Sequence, residues 1–246
     1  MYGISSKTLM LLMALLAATV CALADAPATR PAPMELRVRR WIDQLADNDG
    51  AVRDRARFNL MGLSSDDLPL LKQAAAAEMP LTLEQQAALR DVVCDVYLAG
   101  QTYQSVPTEG FLGLQWSPNG SISDIGQCVE MRLPGFAAYR YLQEGDIIVG
   151  IVDQPNVDCR NADAFRRAIA AMSPGQAVRL RILRRGEFKE VSIVLDERPA
   201  AADAPISAVV AEVAQWLDAR NRAAADYWQA NFVPVIGGDQ EAASAN

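Results

Sequence analysis

The chain has 246 residues, no histidine, a formal net charge of -7 and an apolar fraction of 51%. Length and composition suit a soluble globular protein of one or two domains with a real core. Without histidine there is no Ser-His-Asp or Cys-His nucleophile and no imidazole metal ligand. The acidic balance argues against a nucleic-acid partner, whose phosphates need a basic face. A Ser-Lys pair or a carboxylate pair stays open.

Lys7 precedes an apolar run from Leu9 to Leu23, short of the roughly 20 residues that span a bilayer. Ala22-Leu23-Ala24 supplies the small residues of a cleavage site, with Ala24-Asp25-Ala26 as a second option. Residues 1–24 therefore read as a cleavable secretory signal. A lipoprotein reading at Cys21 meets the bulky Val20, and an uncleaved anchor is the other alternative. The expected location is exported, periplasmic or secreted, with no stable membrane span after cleavage. Cys94, Cys128 and Cys159 remain, an odd number for an exported protein. They read as small buried apolar residues, with a Cys128–Cys159 pair as the alternative. Three thiols without histidine make a poor zinc site, so no metal and no cofactor is expected.

Residues 25–33 form a Pro/Ala linker. From 34 to 100 the apolar spacing is helical. Leu36, Trp41, Ile42 and Leu45 mark a first face. Asp49 is placed to cap a second helix carrying Val52, Ala56, Leu60 and Leu63. Ser64 to Asp67 opens a third, with Leu68, Leu71 and Ala75 inward, and Pro80 stops it. Thr82 with Gln85 and Gln86 opens a fourth, carrying Leu83, Leu89, Val92, Val93, Val96 and Tyr97. The stretch from Asp49 to Leu60 resembles the second helix of a HEAT repeat. Fewer than the roughly three repeats of a free solenoid fit here, so these helices are expected to pack on another part of the chain. A plain four-helix bundle is the alternative.

Residues 101–109 read as a polar connector. Phe111 to Trp116 then reads as a strand ended by Pro118-Asn119-Gly120. Further strands are expected at 127–133 and 146–152, and helices at 137–142 and at 162–172, the latter capped by Asn161. A hairpin of 177–183 with 190–195 turns at Arg185-Gly186. After a second Ala/Pro linker, a long helix over 205–232 carries an apolar stripe through Ile206, Val209, Val210, Val213, Trp216, Leu217, Tyr227 and Trp228. A stripe of that length is a core face, and it is expected to cover the N-terminal helices. A partner-binding or self-occluding helix is the other reading. Residues 233–246 read as a disordered tail.

Several segments, taken in order, carry a resemblance: Phe111-Leu112-Gly113-Leu114, Leu133-Pro134-Gly135-Phe136-Ala137-Ala138, Leu142-Gln143-Glu144-Gly145-Asp146-Ile147-Ile148, Asn161-Ala162-Asp163-Ala164-Phe165, and Ser173-Pro174-Gly175-Gln176. Together they resemble the circularly permuted bacterial PDZ domain attached to high-temperature-requirement serine proteases, over residues 108–198. The implied fold class is α+β: an N-terminal HEAT-like helical segment, a PDZ-type partly open β-barrel with two helices, and a long C-terminal helix. The resemblance implies that an extended peptide adds to a sheet edge. Amides of the glycine loop would hold a terminal carboxylate in a nest. The implied peptide-binding residues are Phe111, Leu112, Gly113, Leu114 and Gln115 with Ala162, Phe165, Arg166 and Ile169, and Leu180 as pocket floor. A core role is the alternative for Phe165 or Ile169.

Two departures stand out. Thr108-Glu109 occupies the place where relatives carry a basic residue, and Arg140-Tyr141 replaces the usual Ala-Gly. Glu109 would oppose a bound carboxylate by about 1 kcal/mol. The leading expectation is a non-catalytic exported module that captures a peptide or protein segment. The alternatives are a structural or regulatory protein binding partners through its helices, and a Ser-Lys hydrolase. For the last, the mature chain offers only Lys72 and Lys189, without a supporting motif.

Overall fold

A computed structural model describes residues 33–115, 122–203 and 206–237. The signal segment, the linker up to residue 32, Trp116 with its following turn, and the last nine residues lie outside them. So do the side chains of Ile206, Val209, Val210 and Val213.

Helix α1 (Met34–Gln44) buries Val38 and Ile42, with Leu45 just beyond its end. Leu36 stands 53% exposed. The inward face thus runs through Val38, not through Leu36 as the sequence spacing suggests. In α2 (Gly50–Leu60) the Asp49 carboxylate accepts the Ala51 amide at 2.8 Å, and Ala56 and Leu60 turn inward. A 3-10 turn (Ser65–Asp67) leads into α3 (Leu68–Ala77), which buries Leu68, Leu71, Ala74 and Ala75. Helix α4 (Leu83–Ala99) opens on a reciprocal cap. The Gln85 amide donates to Thr82 Oγ1 at 3.2 Å, and the Thr82 amide to Gln85 Oε1 at 2.9 Å. Gln85 Nε2 also reaches the Ile42 carbonyl, fastening α4 to α1. Leu83 lies outside this core at 76% exposure.

The α/β part begins earlier than expected. Residues 105–109, read as connector, belong to β1 (Ser105–Phe111). Then come β2 (Leu114–Gln115), β3 (Ile122–Ser123), β4 (Gly126–Cys128), β5 (Met131–Arg132), α5 (Ala137–Tyr141), β6 (Ile147–Ile151), α6 (Ala162–Ala170), β7 (Ala177–Arg184), β8 (Glu187–Val194) and β9 (Asp196–Pro199). Among the described residues the strands form three antiparallel sheets, β1-β9, β2-β5 and β3-β4-β6-β7-β8, and no closed barrel. β1 has a partner that the sequence does not announce: it pairs with β9, at the far end of this part. The strand expected over 127–133 is split. The Val129 amide goes to the Asp146 carbonyl and the Gly145 amide to the Val129 carbonyl, so the chain leaves β6 before it joins β2. The β7–β8 hairpin turns on Arg185 (φ 53°) and Gly186 (φ 84°), the left-handed pair that a two-residue hairpin needs.

Asp146, 1% exposed, holds this part together at one corner. Arg184 grips its two oxygens at 2.8 and 2.7 Å, and the Gln143 amide adds a third bond at 2.7 Å. Cys94, Cys128 and Cys159 form no disulfide, and Cys159 is buried.

The chain closes with α7 (Ile206–Asn231) and α8 (Val233–Ile236). Trp228, Phe232 and Ile236 enter the same core as Val38, Leu71 and Val92, and Tyr227 stacks on Tyr97 at 4.3 Å. The long helix therefore does cover the N-terminal helices. Residues 233–237, assigned from sequence to a tail, instead supply its last turn, because Ile236 completes the apolar surface.

Candidate functional site

The loop between β1 and β2 is fixed from behind. The Ala138 amide donates to the Leu112 carbonyl and the Leu133 amide to the Gly113 carbonyl, both at 2.8 Å. In a trans peptide the N–H points opposite the preceding C=O. The Gly113 and Leu114 amides therefore point away from the 133–138 turn, on one outer side of the loop. The bond from Leu133 to Gly113 also makes Leu114–Arg132 the narrow, non-hydrogen-bonded pair of β2 and β5. Both backbone groups of Leu114 hence face the other edge of β2, which no described strand occupies. Glycine is required at 113: φ is +80° and a Cβ there would sit 2.3 Å from Phe136 Cβ.

The candidate residues divide sharply. Leu112, Leu114, Phe165 and Ile169 are buried in one core with Leu180. Both Phe165 and Ile169 are thus core side chains, the alternative that the sequence offered for one of them. Their burial follows from helix spacing: four residues apart, they take the inward stripe of α6. Phe111 and Ala162 are half-buried, while Gln115 and Arg166 are exposed. Arg166 pairs with Asp163 on its own helix. The Gly110 amide bonds the Met172 carbonyl at 2.7 Å, which sets the loop beside the C-terminal end of α6.

Glu109 does not stand as a bare charge. Arg198 of β9 donates to its carboxylate at 2.7 Å, so the repulsion expected from sequence is offset by a cross-strand partner. Arg140 and Tyr141 have a definite task as well. Arg140 lies 4.4 Å over the Phe58 ring and donates to the Phe58 carbonyl at 3.2 Å, while Tyr141 meets Phe58 edge-on. They dock α5 against α2. The unusual pair at 140–141 was the visible signal of that contact.

The 133–138 turn carries groups that the sequence did not single out. Asp95 of α4 accepts the Gly135 amide at 2.6 Å, and Asp196 of β9 accepts the Ala137 amide at 2.7 Å. Burial pushes the Asp95 carboxyl up to about 7, against the pull of that amide and of Arg57 and Arg140. Burial likewise pushes Asp196 up to about 6. Arg220 of α7 reaches the Leu98 and Pro134 carbonyls, both at 3.4 Å. Its guanidinium lies among the Tyr103, Phe136 and Trp216 rings at 5.7, 5.1 and 5.0 Å. Gly135 (φ +82°) leaves no room for a Cβ, which would meet Leu98 and Arg220 within 2.7 Å.

No protein-family model and no curated protein matches the chain. Solved structures do, weakly. The serine endoprotease from Yersinia pestis is 22% identical over 37% of this chain and 30% of its own, at a TM-score of 0.31. The HtrA-type protease AlgW with decapeptide is 22% identical over 46% and 35%, at 0.32. A variant of AlgW, also with decapeptide, is 23% identical over 49% and 36%, at 0.33. This chain spans about a third of the length of those proteins. A likeness at this level is partial, and nothing of their activity passes to this chain through it.

Proposed function

We propose that the chain is a non-catalytic, exported peptide- or protein-binding module, with a PDZ-like groove between β2 and α6 and a HEAT-like helical segment as its scaffold. The observation that carries the reading is the loop at 112–114. The Leu112 and Gly113 carbonyls are taken by the 133–138 turn, so the Gly113 and Leu114 amides and the outer edge of β2 face away from it, which supports a seat for an extended chain end. The ordered motifs from Phe111 to Gln176 support the same reading. Export rests on the signal-like N-terminus; among the described residues, no helix is long and apolar enough to cross a membrane. The absence of histidine and the place of Lys189 in a surface pair with Glu187 support binding without cleavage.

The test is an amide-resolved NMR titration of the full mature chain with a library of C-terminal decapeptides, free and amidated. The reading expects shifts at Gly113, Leu114 and Gln115 and along Ala162–Arg166. Amidation should weaken binding by about 10- to 100-fold, the loss of a charge-assisted bond. Shifts confined to the helices would refute the groove and favour the second reading, partner binding through the helical segment. That reading is supported by Leu36 and Leu83, which stand 53% and 76% exposed on α1 and α4. Gly113 itself is unsuitable for mutagenesis here, because any side chain clashes with Phe136.

A further inference from the structure

The 133–138 turn is gripped from both sides. On one side it bonds the loop: Leu133 to the Gly113 carbonyl and Ala138 to the Leu112 carbonyl, both at 2.8 Å, with Phe136 in contact distance of Gly113. On the other side it bonds the scaffold: Gly135 to Asp95 of α4 at 2.6 Å and Ala137 to Asp196 of β9 at 2.7 Å. Arg220 of α7 adds its contact to the Pro134 carbonyl. Four of the turn's backbone amides are thus divided, two for the loop and two for the carboxylates of Asp95 and Asp196. No slack remains between them. Gly135 is packed too tightly for a single added carbon, and Phe136 is 3% exposed inside a ring of aromatic side chains.

We infer that the Leu133–Ala138 turn is a coupling element, through which the docking of α4 and α7 sets the conformation of the Phe111–Leu114 loop. A displacement of Asp95 or Arg220 moves Gly135. Gly135 cannot move without Phe136, and Phe136 cannot move without Gly113. A partner that engages or loosens the helical segment therefore alters the readiness of the loop for a peptide end, and a peptide end seated on the loop tightens the helices in return. What the loop binds rests on the reading given under Proposed function; the mechanical link does not.

Hydrogen exchange of the full chain, read amide by amide without any ligand, separates the two. Asp95→Ala removes the acceptor for Gly135, whereas Asp95→Asn keeps one. The inference expects Asp95→Ala to speed exchange at Gly135 and also at Leu133 and Ala138, the amides that hold the Gly113 and Leu112 carbonyls, by about tenfold, the worth of one buried hydrogen bond. Asp95→Asn should restore the slower rates, and the β7–β8 hairpin should serve as an unchanged reference. If Asp95→Ala does not fold, Asp95→Glu, which moves the carboxylate by one methylene, gives the same comparison. Acceleration at Gly135 with Leu133 and Ala138 unmoved would overturn the coupling. Acceleration at Leu133 and Ala138 in a chain that binds no peptide would uphold the coupling while removing the peptide reading.

Discussion

Asp95→Asn is expected to flatten the pH dependence of stability. Asp95 is 4% exposed, and burial pushes its carboxyl from 3.8 up to about 7. The folded chain therefore holds this proton more tightly than the unfolded chain. Its contribution to stability is fully present below pH 3.8 and is lost as pH rises through 7. Taking the change from pH 8 to 5.5, Asp95 alone should add about 2 kcal/mol, at 1.36 kcal/mol per unit. Asp196, pushed up to about 6, has the same sign and adds a little under 1 kcal/mol over that window. Asp153 and Asp158, held below the usual carboxylate range by Arg179 and Arg160, titrate outside it. Urea unfolding of the wild-type chain should thus show about 3 kcal/mol more stability at pH 5.5 than at pH 8, and Asp95→Asn about 1 kcal/mol. Parallel behaviour of the two chains would refute the claim that burial raises the Asp95 carboxyl. So would a wild-type chain that loses stability on acidification in this range.

Asp146→Ala should cost about 3–5 kcal/mol, because it leaves Arg184, only 19% exposed, without its bidentate partner. Asp158→Ala, at a solvent-exposed pair, should leave the urea midpoint unmoved. Trp228→Ala should cost about 3–5 kcal/mol, and its near-ultraviolet and exchange signatures should map to α1, α3 and α4. A loss confined to α7 would mean that Trp228 does not belong to their core.

Much of this fold was written in local chemistry. The caps at Asp49, Thr82 and Asn161, the positive-φ pair at the hairpin tip, and the break before Pro80 are all decided within a few residues. What local pattern cannot show is which distant element comes to lie alongside. Residues 105–109 look like a connector because their strand has a single partner, β9, some ninety positions away. Leu36 and Val38 fit a helical face equally well until Gln85 fixes the rotation of α1 by bonding the Ile42 carbonyl. For the candidate site, the glycine loop was legible and its supports were not. Asp95 and Asp196 follow no motif, since each meets the turn only after tertiary assembly. Glu109 was legible as a charge but not as half of a pair. Arg140-Tyr141 was legible as a departure, and the departure proved to be an interface.

The pairing of β1 with β9 brings Gln104 and Ala200 to within a hydrogen bond, 2.9 Å from amide to carbonyl. Entry and exit of the α/β part therefore meet, and that part is an insertion in a helical core whose own sequence is interrupted. Val38 and Phe232 stand nearly two hundred positions apart, yet they share one cluster. Helices α1 to α4 must wait, incompletely covered, until α7 and α8 have emerged. Loss of Trp228 to Ile236 strikes helices α1 to α4 first, whereas excision of 105–199 with the two ends rejoined would leave the interrupted core its full complement of helices.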